Sequence, residues 1–137
     1  MFKYTNVNPK GKITNDCVKR AIAMASGKDY HDVSIELNRY KKISGAEKFN
    51  EPKNYEGYIE RVLSAKKKSF PAVAGQPRMN GAKFCEEFPK GSYILRMAGH
   101  LSACVDGVIC DTWDCSNKCV YKAWKINHRE NNCYCCL

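Results

Sequence analysis

Asp106-Gly107, set between two short apolar runs, constrains this chain more than any other feature. An Asp-Gly pair flanked by alternating apolar residues marks a β-hairpin with a two-residue turn, whose central residues take positive φ. Residues 101–105 lead into the turn and residues 108–113 lead out, so Val105 pairs with Val108 and the register follows. Ser102 then faces Asp111, and His100 faces Trp113. All four side chains leave one side of the ribbon, because side chains alternate with a period of two. His100 and Asp111 become diagonal neighbours, about 7–8 Å apart between Cα atoms and within side-chain reach. Asp114 falls on the opposite side. A regular turn therefore selects Asp111 as the carboxylate beside the imidazole, and a bulged turn would reverse the choice. Leu101, Ala103, Val105, Val108, Cys110 and Thr112 share the other side, which suits a core and leaves His100 on the more polar one.

The segment before the hairpin reads as helical. Residues 1–14 form a polar, extended lead-in, and Thr14-Asn15-Asp16 supplies N-cap chemistry. Val18, Ala21, Ile22 and Ala25 then recur with helical spacing until Gly27 ends the run. Asp29 caps a second helix over residues 31–40, with Val33, Leu37 and Tyr40 as its stripe. Residues 44–54 are a polar connection, and Tyr55, Tyr58, Ile59 and Val62 indicate a third helix that closes before Lys66-Lys67-Lys68. Pro71, Gly75, Pro77 and Gly81 mark a loop over residues 69–81, followed by a short helix at 82–87. Residues 92–97 and 120–126 add further strands, and residues 127–137 form a tail. Helices come first and antiparallel strands second, which predicts an α+β fold in a single domain over residues 1–137.

Cys17 opens the first helix, where free N–H groups and the positive dipole end stabilise a thiolate. Its own backbone N–H and the side-chain amide of Asn15 are candidate donors to an oxyanion. Cys17 can instead be a small buried residue behind an ordinary cap. His100 and Asp111 weigh towards chemistry: a thiol, an imidazole base and a carboxylate that orients the base make a catalytic set defined by geometry rather than chain order. Trp113, Trp124 and Tyr121 flank that set, lining a substrate groove or packing in the core, with Trp113 the groove candidate nearest His100. His31 reads as a surface residue.

The order of these residues, and the block from Gly99-His100-Leu101 through Asp106-Gly107 to Asp111-Thr112, resembles the papain-like cysteine peptidase superfamily. The likeness is nearest to its bacterial branches that cleave double-glycine leaders and to their stand-alone relatives, compact proteins of bacterial and phage genomes. It covers about thirty residues in two stretches. The resemblance implies a papain-like fold, with N-terminal helices packed on a C-terminal antiparallel sheet. It also implies Cys17 as nucleophile, His100 as general base and Asp111 as orienter, with no cofactor. Members of that family place a glutamine upstream of the nucleophile as oxyanion donor. Here the only Gln is Gln76, so Asn15 takes that position, and thioester cleavage, deamidation and acyl transfer stand beside amide hydrolysis.

Charge offers a different class. The formal net charge is +9, which favours anionic partners. The alternative to a hydrolase with a peptide or protein substrate is a non-catalytic basic protein on the same scaffold. Its ligand would be an anionic nucleotide signal, a nucleic acid or an acidic protein, as in a phage factor that blunts host defences. No zinc-finger, RRM or helix-turn-helix signature accompanies the charge. Cys115, Cys119, His128, Cys133, Cys135 and Cys136 lack paired CxxC spacing, so scattered reduced thiols are preferred to zinc and no metal is assigned. With no apolar run of membrane length and no export signal at the start, the expected place is the cytoplasm.

Overall fold

The computed structural model describes residues 1–12, 15–127 and 129–130. Four α-helices and six strands form an α+β fold in the order β1 (Phe2–Tyr4), α1 (Cys17–Ser26), α2 (Tyr30–Ser44), α3 (Pro52–Gly57), β2 (Lys66–Ser69), α4 (Gly81–Glu87), β3 (Ser92–Met97), β4 (His100–Val105), β5 (Val108–Asp111) and β6 (Val120–Ile126). The strands make one sheet in the order β1-β5-β4-β3-β6-β2. It is mixed rather than antiparallel, because β1 runs parallel to β5. Among the described residues no helix is long and apolar enough to cross a membrane.

The hairpin has the register that its turn requires. Val105 pairs with Val108 and Ala103 with Cys110. Asp106 and Gly107 take φ of 49° and 74°, the twist that lets antiparallel strands continue without splaying. β5 stops at Asp111 rather than at Trp113. There the carbonyl of Asp111 accepts from the Thr5 N–H at 2.8 Å, the last rung between β1 and β5.

Helices α1 to α3 cover one face of the sheet. Ile22, Val33, Leu37, Tyr58 and Ile59 pack there against Ile94, Leu101, Ala103 and Trp124. α1 is buried almost all round, beyond its expected stripe, because Ala21, Ala23 and Ala25 let α2 and the sheet approach closely. Truncating the fully buried Ile22 to Ala would remove about 2–5 kcal/mol of stability. The opposite face is covered as well, where Phe84 and Cys85 of α4 meet Leu95, Cys104, Ile109 and Cys115. This corrects the reading of a more polar side on the hairpin, since Ser102 and Cys104 are 1% and 0% exposed.

Other expectations change in detail. The lead-in contains β1. α2 runs on to Ser44, where Gly45 in the left-handed region donates to Lys41. The third helix begins at Pro52, inside the expected connection, because proline suits a first helical turn whose N–H has no partner. It continues as a π-helical turn, Tyr58–Val62. Lys66-Lys67-Lys68, to which the spacing assigns no element, belongs to an edge strand paired with β6 and exposed at every residue. Lysines on an edge strand also oppose pairing with another chain.

Of the expected tail, residues 129 and 130 are bound to the end of α1. The Arg129 guanidinium donates to the Met24 carbonyl at 2.9 Å, and the Glu130 N–H to the Ser26 carbonyl at 2.7 Å. They supply partners for carbonyls that a helix end leaves open. Thr14, His128, Cys133, Cys135 and Cys136 lie outside the described residues.

Candidate active site

Cys17 begins α1 and is half-buried. Asp16 holds the N-cap position, yet its side chain makes no capping bond. Its carboxylate instead pairs with Arg20 and accepts from the Tyr30 hydroxyl at 2.5 Å and the Asn8 amide at 3.0 Å. The expected side-chain cap is thus replaced by a buried polar cluster that fixes how α1 enters the core. An ion pair so deep needs the added hydrogen bonds to offset its desolvation.

β4 and β5 bring the other two groups together. His100 Nε2 lies 2.7 Å from Asp111 Oδ2. The Ser102 hydroxyl donates to the same oxygen at 2.6 Å, while the Thr112 N–H donates to Oδ1 at 2.7 Å. Asp114 turns away and accepts from the Ser116 N–H at 3.0 Å. With Nε2 committed to Asp111, Nδ1 is the nitrogen left to face the Cys17 thiol, which shares a cleft with the imidazole. Cys17 of α1 is thus brought to one cleft with the His100 imidazole that the hairpin joins to Asp111.

The electrostatics agree with that arrangement. Burial alone would raise the Cys17 pKa, but the hydrogen bonds from His100 and the Leu101 N–H, with the charges of His100 and Arg20, bring it below the ordinary thiol value. Burial lowers the His100 pKa, but hydrogen bonds with Asp111, Cys115 and Cys17 outweigh it and push it up to about 11. Asp111 is held below the usual carboxylate range; burial opposes this, and His100, Ser102 and Thr112 overcome it. Both shifts run towards a thiolate beside an imidazolium, the form in which a cysteine attacks.

Asn15 is exposed and lines the same cleft as Cys17, on its open side. Trp113 sits elsewhere. Its ring centroid lies 4.9 Å from that of His100, with the planes tilted by 49°, so it covers the imidazole and does not line the cleft. The expected groove role thus becomes a shielding one. Trp124 is fully buried two strands away from β4, and Tyr121 packs against Arg78. His31 is exposed at the start of α2.

Cys115 is the residue that sequence reasoning missed. It is 1% exposed, with Sγ 3.5 Å from Ser102 Oγ and 3.6 Å from Asp111 Oδ2. It supports the carboxylate instead of joining Cys119 in a zinc knuckle. Ligand atoms of His100, Asp111 and Cys115 lie within 4.8 Å of one another and could hold a metal ion. The 2.7 Å separation of Nε2 and Oδ2 is that of a shared proton, while two ligands of a tetrahedral zinc stand roughly 3.3 Å apart. Cys17, Cys85, Cys104, Cys110, Cys115 and Cys119 are all free thiols.

A cleft of about 250 Å³ opens beside the thiol, bounded by Asn15 and Val18 of the α1 entry, Pro52 and Tyr55 of α3, and the β3–β4 turn. Compared with protein-family models, curated proteins and solved structures, the chain matches none.

Proposed function

We propose that the chain is a small papain-like cysteine hydrolase that cleaves a peptide, amide or thioester bond. The observation that carries this reading is the His100 imidazole, bonded to Asp111 and lining one open cleft with Cys17, whose pKa it lowers. The Cys17 thiolate attacks the carbonyl carbon, and the Cys17 N–H and the Asn15 amide receive the oxyanion. The His100 imidazolium protonates the leaving amine or thiol as the tetrahedral intermediate collapses to an acyl-enzyme. His100, now neutral, takes a proton from water, which attacks the acyl carbon. The acid departs and the thiolate–imidazolium pair returns. Asp111 keeps Nε2 occupied, so that Nδ1 faces the thiol throughout.

A second reading, a basic protein that binds an anionic ligand without catalysis, draws on the exposed lysines of β2. The cleft favours the hydrolase, because it leaves Cys17 accessible beside its base. The test is the alkylation rate of each cysteine by iodoacetamide from pH 5 to 9, followed by mass spectrometry, in wild type and His100→Ala. Fast labelling of Cys17 at pH 6, lost in the variant, supports the hydrolase. A Cys17 that reacts no faster than half-buried Cys119, with or without His100, overturns it.

A further inference from the structure

We infer that the substrate carries a carboxylate beside the scissile bond, received by Arg96, with Lys122 behind it in a cationic row. The inference rests on Cys17 being the nucleophile and names the substrate class of that site.

The row follows from strand register. Arg96 of β3 pairs with Leu101 of β4, and Lys122 of β6 pairs with Arg96. Residues directly opposite one another share a face of the sheet, so Leu101, Arg96 and Lys122 project from the same side. That side carries α1, and Leu101 is the residue whose N–H meets the Cys17 thiol. Arg96 therefore stands one strand spacing from the thiol's backbone partner, about 4.8 Å, and Lys122 about twice that. The register of β3 against β6 shifts between Arg96 and Met97, a bulge of the kind that re-aims side chains beside sites.

Glu56 of α3 reaches both cations, Arg96 through Oε2 and Lys122 through Oε1 at 2.9 Å. Arg96 and Lys122 share this one carboxylate, while Glu60, against the same face, is engaged with the Trp124 indole N–H at 3.3 Å. Both cationic side chains remain 30% exposed, whereas that of Glu56 is 15% exposed. Arg96 lines the cleft with Cys17, Asn50 and Tyr55, and among the described residues lining it none is acidic. A neutral or basic group at this position gains nothing from the row, while a carboxylate gains a guanidinium with fixed fork geometry. The formal charge of +9 draws the same class of molecule towards the surface.

The test compares alkylation of Cys17 by anionic iodoacetate and neutral iodoacetamide at pH 7 and low salt. The thiolate displaces iodide in both, so the ratio of rates reports only the field around the thiol. Arg96→Gln should lower the iodoacetate-to-iodoacetamide ratio about fivefold, each rate being taken for the same variant. Glu56→Gln should raise the ratio, and added salt should shrink both effects. Opposite signs in the two variants cannot come from partial unfolding. A fast Cys17 whose ratio ignores both substitutions overturns the acidic-substrate inference alone. Slow reaction with iodoacetamide itself, no faster than Cys119, overturns the hydrolase reading beneath it.

Discussion

Ser102 and His100 converge on one oxygen: both reach Asp111 Oδ2, at 2.6 and 2.7 Å. A buried carboxylate with two donors on one oxygen, and the Thr112 N–H on the other, is held in a single orientation. Ser102→Ala removes one donor without adding bulk. It should destabilise the fold by about 1–3 kcal/mol, as expected when a buried acceptor loses a partner. Urea denaturation measures this, and an unchanged midpoint would mean that the hydroxyl contributes nothing.

Asp111→Asn tests the electrostatic chain instead. The amide cannot stabilise the imidazolium, so the His100 pKa falls and, with less positive charge nearby, the Cys17 pKa rises. Alkylation of Cys17 by iodoacetamide at pH 6 should drop about tenfold for each unit that the thiol pKa moves. Raising the pH to 9 should restore most of the rate. A variant that stays slow at pH 9 has lost geometry, not charge.

Stability should also follow the imidazole. His100 binds its proton up to about pH 11 when folded, against 6.5 as the ordinary value. Its contribution is complete below pH 6.5 and is lost as the pH rises towards 11. The depressed Cys17 pKa acts oppositely, adding stability above the ordinary thiol value of 9.0 that is lost as the pH falls through the folded pKa. The expected outcome is a smaller stability gap between wild type and His100→Gln at pH 10.5 than at pH 6, read from urea midpoints. A gap that widens with pH contradicts the sign.

Gly27→Ala probes the closing of α1. Gly27 has φ 73°, and a Cβ there would stand 2.1 Å from the Glu130 carbonyl oxygen. Backbone strain of about 1–3 kcal/mol adds to eviction of the docked segment. Limited proteolysis should cut the variant near residue 130 much sooner than wild type. Equal cleavage rates would show that residues 129 and 130 do not depend on this contact.

What the sequence revealed was local. The Asp106-Gly107 turn determines which side chains share a face, and that suffices to join His100 to Asp111 across a hairpin. Val18, Ala21, Ile22 and Ala25 declare α1 through their spacing. What it hid depends on remote neighbours. Lys66-Lys67-Lys68 is a strand because β6 offers an edge, not because three lysines prefer one. Phe2–Tyr4 is too short to show a period, and its partner lies more than a hundred residues away. Asp16 looks like a cap until Arg20 and Tyr30 compete for it. Cys115 and Arg96 reach the site through loop return and cross-strand register, neither of which leaves a motif.

The parallel pairing of β1 with β5 has a consequence for synthesis. Tyr4 lies opposite Asp111, so during synthesis β1 waits for a strand made more than a hundred residues later before it finds its partner. The Cys17 helix emerges early, but its imidazole and carboxylate arrive only when β4 and β5 do. Until then the nascent chain carries the Cys17 thiol without its imidazole neighbour. Completion of the sheet and arming of the candidate nucleophile become the same event.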